Sequence, residues 1–266
     1  MLRDITLGQY YNCDSPIHRL DPRVKIIGTI LFIVELFLVK HFIGFAVCAA
    51  VLAVLIGMSK VPLSYIVRGL RPIVLILLFT CVLNLFMTRG TIIFQLGFLK
   101  VTKEGIYTAC FMAIRLILLI ISSSLMTYTT KPIALTDGLE KLMSPLSKIG
   151  LPSHEIAMMM SIALRFIPVL LEETDKIMKA QQARGADFES GGILQRAKAL
   201  VPILVPLFVG ALRIAQDLAM AMEARCYRGG KGRTRMNEIR FRRNDYIAFI
   251  LMLLFLAAII LMRIFL

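Results

Sequence analysis

Two arginines carry the most specific chemistry in this sequence. Arg184 stands near the end of Lys179-Ala180-Gln181-Gln182-Ala183-Arg184-Gly185, and Arg225 near the end of Ala221-Met222-Glu223-Ala224-Arg225-Cys226. Ala183-Arg184-Gly185 and Ala224-Arg225-Cys226 thus repeat one pattern, an arginine between small residues at the end of a helical stretch. Small neighbours let a partner's backbone approach, and a planar guanidinium pairs bidentately with a carboxylate in a groove. A simpler reading also stands: each arginine complements the negative end of a helix dipole. No other constellation is as specific. Gly229-Gly230-Lys231-Gly232-Arg233-Thr234 lacks the spacing of a phosphate-binding G-x-x-x-x-G-K-[ST] loop and reads as a flexible basic loop. His18, His41 and His154 lie far apart, outside any H-E-x-x-H pattern, and Ser161, His154 and Glu155 form no credible triad. Cys13, Cys48, Cys81, Cys110 and Cys226 contain no C-x-x-C pair, so neither a metal site nor a disulfide framework is expected. The chain is expected to hold no catalytic site and no cofactor of its own.

The elements that must position these arginines are membrane helices. The chain is 58% hydrophobic, its mean hydropathy is +0.78, and its apolar residues come in long runs. Crossing a bilayer core of roughly 30 Å takes about 20 apolar residues. Spans are expected at about Val24–Val39, Phe42–Met58, Pro72–Thr88, Gly105–Tyr128 and Tyr246–Leu266. Lys40 and His41 break the first two into a hairpin, because one helix over both would be about 50 Å long. Thr91–Glu104 is too short to span and reads as an outer-surface turn. Met1–Asp21 is polar and shows no cleavable signal peptide. The fold class is therefore all-α integral membrane, with about five transmembrane helices and a cytoplasmic domain of amphipathic helices. The divisions are 1–128 (arm and spans one to four), 129–245 (cytoplasmic) and 246–266 (span five).

Within 129–245 a short helix starts at Thr136 and Asp137 and ends near Gly150. Ser153 then caps a long one with apolar residues at helical spacing, among them Ile156, Met159, Phe166, Leu170 and Ile177. Pro168 should kink it, and Gly185 should end it in the left-handed conformation. A second stretch runs from Ile193 to about Arg225. Its apolar part, Ala199–Leu212, is interrupted by Pro202 and Pro206 and is too short for a comfortable span. Most of the 31 Lys and Arg fall on the side of the N-terminus and of 129–245, which makes that side cytoplasmic. The net charge of +14 therefore reflects membrane orientation rather than nucleic-acid binding. The basic run Arg225–Arg243 also attracts anionic lipid.

Two charges fall inside spans, Glu35 in the first and Arg115 in the fourth. Counted from opposite faces, both reach the midplane, and a charge there is costly unless paired. One expectation is a Glu35–Arg115 pair joining spans one and four. The other is that each charge snorkels or faces a separate polar contact.

Taken in order, the motifs resemble the transmembrane T component of energy-coupling factor (ECF) transporters, in the superfamily of the cobalt-transporter T subunit. The arm Ser15-Pro16-Ile17-His18-Arg19-Leu20-Asp21-Pro22-Arg23-Val24-Lys25 is similar to that family's N-terminal signature. Arg165-Phe166-Ile167-Pro168 and the two Ala-Arg-(Gly/Cys) endings are similar to its coupling helices, with Cys226 where the pattern has glycine. The resemblance covers nearly the whole chain. It implies a scaffold joining two cytoplasmic ABC-type ATPases to a small substrate-binding membrane subunit, the S component, in a prokaryotic cell membrane. Ala183, Arg184, Gly185, Ala224, Arg225 and Cys226 would bind the ATPases, which would hold the ATP and Mg. Met159, Phe166, Leu170, Ile177 and Met220 would form the surface facing an S component, and their flexible methionines suit exchangeable partners. The implied function is energy coupling for vitamin or micronutrient uptake. A T component dedicated to cobalt or nickel is the nearest rival. A self-sufficient secondary transporter is the rival of another class, and it lacks the expected paired repeats and broken midplane helices.

Overall fold

Asp21 and Pro22 set the start of the first helix. Proline is preorganised for the first helical position, where its missing N–H is no loss. The Asp21 carboxylate then accepts the Arg23 N–H as the N-cap. The computed structural model describes residues 10–70, 73–96, 99–145, 150, 152–186, 188, 192–229 and 241–265. Pro72, Gly97, Gly191, most of the Gly229–Thr234 loop and the basic positions Lys231, Arg233, Arg235 and Arg240 lie outside the described residues.

Helices α1 (Pro22–Leu38) and α2 (Phe42–Ser59) form the hairpin broken at Lys40 and His41. Helices α3 (Leu63–Leu70) and α4 (Val74–Met87) follow. An antiparallel ribbon, β1 (Ile92–Leu96) and β2 (Leu99–Thr102), occupies the segment expected to be a turn. Helix α5 (Lys103–Thr129) is capped by the Thr102 hydroxyl, which accepts the Gly105 N–H. Then come α6 (Pro132–Met143), α7 (Ser153–Ala183), α8 (Ile193–Ala224) and α9 (Arg243–Phe265). The protein is an all-α integral membrane protein. By length and composition α2, α5, α7, α8 and α9 can each cross a membrane, and α3 with α4 adds a bent sixth candidate.

That set differs from the sequence expectation, although the number five recurs. Helix α1 has 17 residues and α4 has 14, short for independent spans. Helices α7 and α8, by contrast, run through Pro168 and through Pro202 and Pro206 as single helices of 31 and 32 residues. The helix that carries Ala199–Leu212 therefore extends well past that run at both ends. Two boundaries also move. Helix α6 begins at Pro132, again proline at a first helical position. Pro152 rather than Ser153 occupies the N-cap of α7, and it makes no side-chain cap.

The chain divides into two compact units, one built from Gly8–Gly138 with Glu238–Leu266 and the other on Leu139–Asn237. In the first unit a buried core of Phe32, Leu36, Val39, Phe45, Cys48, Leu52, Leu118, Leu125 and Ile259 joins α1, α2, α5 and α9. Helix α1 runs antiparallel to α5. At one end Lys25 Nζ donates to the Thr129 carbonyl at 2.8 Å, and at the other Arg115 donates to the Val39 carbonyl at 3.3 Å. Helix α9 runs parallel to α1, with Asp245 beside Asp21, Met252 over Gly28 and Phe255 stacked on Phe32. Gly28 permits that approach, since a Cβ there would sit 2.8 Å from the Met252 sulfur.

A network at the start of α1 and α9 joins residues that no local sequence pattern connects. Asp245 is 2% exposed. One of its oxygens accepts the Arg242 N–H at 2.7 Å, the acid-to-N-cap half of a capping box. The other accepts the Asp21 N–H at 2.8 Å. A single carboxylate thus satisfies the capping residues of the first and last helices. Arg23 bonds both Asp21 oxygens, at 3.0 and 2.7 Å, and lies 3.9 Å over the Phe241 ring. His18 completes the arm through Ser15 and the Tyr11 carbonyl. Burial lowers its pKa, against the opposing pull of the Tyr11 carbonyl.

Candidate functional site

Helices α7 and α8 belong to one unit, and both ends of interest follow the same geometry. At the end of α7, Arg184 is the C-cap (φ −88°, ψ 6°), and Gly185 turns left-handed at φ 88°. The Gly185 N–H reaches the Gln182 carbonyl at 2.9 Å, and the Ala186 N–H reaches the Gln181 carbonyl at 3.0 Å. At the end of α8, Arg225 is the C-cap (φ −89°, ψ 13°), and Cys226 turns left-handed at φ 56°. The Cys226 N–H reaches the Glu223 carbonyl at 2.8 Å, and the Tyr227 N–H reaches the Met222 carbonyl at 3.0 Å. Both ends are Schellman caps, in which two loop N–H groups satisfy the otherwise orphaned last carbonyls. The backbone carbonyls are thereby occupied, and both arginines are exposed with their small neighbours. Neither guanidinium makes an ion pair among the described residues.

The two ends point away from each other. Ile162, Phe166 and Leu170 of α7 share an apolar cleft of about 190 Å³ with Ala211, Ile214, Ala215 and Leu218 of α8. Gln181 Nε2 donates to the Pro202 carbonyl at 3.4 Å. Residues late in α7 therefore meet residues early in α8, so the pair is antiparallel. At 1.5 Å per residue, on the order of 40 Å of helix separates Arg184 from Arg225. Two pegs so far apart can engage two separate bodies.

The profile of the cobalt transport protein family matches residues 14–236. The chain belongs to this family. Relatives named energy-coupling factor transporter transmembrane protein EcfT are similar over nearly its whole length. The one from Clostridium kluyveri is 57% identical over 99% of this chain and 98% of its own. That from Thermosediminibacter oceani is 57% identical over 94% of each chain, and that from Bacillus subtilis 47% over 98% of each. The family match spans the arm, α1 to α8 and both arginine caps. The family is that of a transporter membrane component, consistent with the multi-pass helical fold.

The remaining sequence candidates separate in the structure. Phe166 and Leu170 line the cleft between α7 and α8. Ile177 is half-buried, whereas Met159 and Met220 are 58% and 59% exposed. The proposed Glu35–Arg115 pair is not formed. Helices α1 and α5 are neighbours, but their register sets Arg115 opposite Val39, a turn beyond Glu35. Arg115 takes the Val39 carbonyl, and its guanidinium lies 5.3 Å from the Phe37 ring centre, 5.9 Å from Phe45 and 5.0 Å from Phe111. Glu35 is 2% exposed and sits on the buried side of α1. His154 bonds Glu140 at 3.1 Å.

Cys226 is one of two described non-glycine residues with a left-handed backbone, the other being Lys60. Left-handed backbone costs an L-residue about 1 kcal/mol or more, whereas glycine adopts it freely. Cys226→Gly is therefore expected to stabilise the α8 end by about 0.5–1 kcal/mol. Gly185→Ala should destabilise the α7 end by about 1 kcal/mol, because a Cβ there meets nothing within 4 Å and the cost is purely conformational. Thermal unfolding of both variants in detergent checks the opposite signs.

Proposed function

We propose that this chain is the energy-coupling scaffold of an ECF-type importer. It transmits ATP-driven motion of two ABC-type ATPase subunits to a substrate-binding S component. The observation that carries this reading is the pair of matching arginine caps at opposite ends of the antiparallel α7–α8 pair. Each cap presents a bidentate cation on a rigid helix end, with small residues beside it that admit a partner's backbone. When two ATPases close on nucleotide, docked helix ends move with them. The packed cleft of Ile162, Phe166 and Leu170 against Ala211, Ile214 and Leu218 converts that motion into a change between the helices. The exposed Met159 and Met220 then offer an adaptable surface to an S component.

The names of the relatives support this reading, and so does the lack of any phosphate-binding loop in the sequence. ATP and Mg belong to the partner ATPases, and the chain itself contributes no cofactor and no catalytic group. It sits in a prokaryotic cell membrane with its N-terminus and both arginine caps in the cytoplasm; on this reading α7 and α8, though long and apolar enough, do not cross the bilayer. The cargo is a vitamin or other micronutrient. The family's description as cobalt transport favours a second reading, a T component dedicated to a transition metal.

Affinity purification of the tagged full-length chain from its native membrane separates the readings. The scaffold role predicts co-purification of two ABC-type ATPases with several different small membrane proteins. One constant membrane partner with a metal-uptake phenotype would favour the dedicated role. Purification of the chain without any ATPase would overturn both.

A further inference from the structure

The tip of the α1–α2 hairpin carries a second cluster of charge, unrelated to the arginine caps. Lys40, His41 and Arg263 line one shallow cleft together with Val39, Gly44, Ile259 and Met262. Arg115 adjoins it through its bond to the Val39 carbonyl. Three permanent cations and a histidine thus converge where α1, α2, α5 and α9 meet. None has an acidic partner among the described residues. Arg115 Nε is buried without a hydrogen bond, and the Phe37, Phe45 and Phe111 rings hold the guanidinium in place.

Depth makes this cluster unusual. The register of α1 on α5 gives a ruler. Lys25 lies level with Thr129 and Val39 level with Arg115, a rise of about 21 Å at 1.5 Å per residue. Helix α5 continues for about 18 Å beyond that level, to Lys103. The hairpin tip therefore stops well short of the end of its neighbour, and the interval from the charged Lys25 to the tip is shorter than a hydrocarbon core of roughly 30 Å. A short apolar segment is accommodated by local thinning of the bilayer and by snorkelling of flanking charges. Both bring lipid headgroups down to the cluster, and cations held at that depth require an anion.

We infer that the hairpin tip binds the phosphate of one anionic phospholipid, in the leaflet opposite the N-terminal arm. Lys40 and Arg263 grip the phosphate, and Arg115 supplies positive charge beneath it. The choice of lipid over free phosphate rests on the apolar surface that runs down from the cleft. Phe37 is 61% exposed and Leu261 53%, a face on which acyl chains can lie. This inference is independent of the coupling role, and it concerns the membrane face opposite the basic run before α9.

The test uses the delipidated full-length chain in neutral detergent, with bound lipids counted by native mass spectrometry. The wild type should retain one more phosphatidylglycerol than Lys40→Gln/Arg263→Gln. Both substituted residues are exposed, so the variant is expected to fold, and an unchanged unfolding temperature without lipid verifies this. Phosphatidylcholine and inorganic phosphate at the same concentration should not occupy the site. Equal phosphatidylglycerol retention by the folded variant overturns the inference. Equal occupancy by phosphatidylcholine overturns the anionic requirement, and occupancy by inorganic phosphate overturns the lipid. Should the variant unfold, Lys40→Gln alone must still lose the extra lipid.

Discussion

Replacing Arg184 and Arg225 together with glutamate is expected to abolish uptake while the chain still inserts normally in the membrane. Removing one partner of a desolvated, hydrogen-bonded charge pair costs roughly 2–5 kcal/mol, which is about a thirtyfold or larger loss of affinity per site. Charge reversal adds repulsion from the partner carboxylate. The ATPases should therefore fail to co-purify with the double variant, and each single variant should hold them weakly. Lysine should restore only part of the function, because its point charge lacks the fork of a guanidinium. Each helix end is closed by its own backbone bonds, Ala186 to Gln181 and Tyr227 to Met222. Losing either arginine side chain should therefore leave its helix intact. Transport at wild-type rates with ATPases bound would remove the arginines from the docking account.

The largest expected stability effect lies elsewhere, at Asp245. Asp245→Ala leaves the buried Asp21 N–H without its acceptor, and it also removes the acceptor of the Arg242 N–H, whose residue is exposed and can turn to water. One unsatisfied buried donor costs about 1–3 kcal/mol, so with the lost cap at Arg242 a loss on the order of 2–3 kcal/mol is expected. Asp245→Asn should recover little. Its amide must turn an NH₂ toward one of the two N–H donors, and the remaining bond loses its charge assistance. Detergent unfolding together with protease access to the start of α9 reads the effect. An asparagine variant as stable as the wild type would show that the carboxylate does not join the two caps.

Some of this architecture is legible along the chain, and some is not, for physical reasons. The end of α7 follows from Gly185, the residue best suited to left-handed backbone, and φ there is 88°. The end of α8 repeats the pattern, but that Cys226 would bear the same conformation is invisible, since nothing in its type requires it. Asp21-Pro22 signals a helix start in any context. Its partner Asp245 lies 224 residues away, and no local pattern marks it. Glu35 and Arg115 illustrate the other limit. Counting residues gives depth along each helix, but not the register between helices or the direction each side chain faces. The register is fixed by Lys25 on Thr129, and it sets Arg115 opposite Val39 instead. Pro202 and Pro206 misled because proline removes one N–H each, and a long helix in α8 tolerates that loss.

The coupling account is tested most directly by photo-cross-linking. A photoreactive residue is placed at Ala183 in one variant and at Ala224 in another, each beside an intact arginine, in the assembled transporter. The account predicts that each position captures an ATPase subunit, and that the two positions reach two different copies, since on the order of 40 Å of helix lies between them. Capture of the substrate-binding membrane subunit or of lipid at both positions, with no ATPase at either, would contradict it.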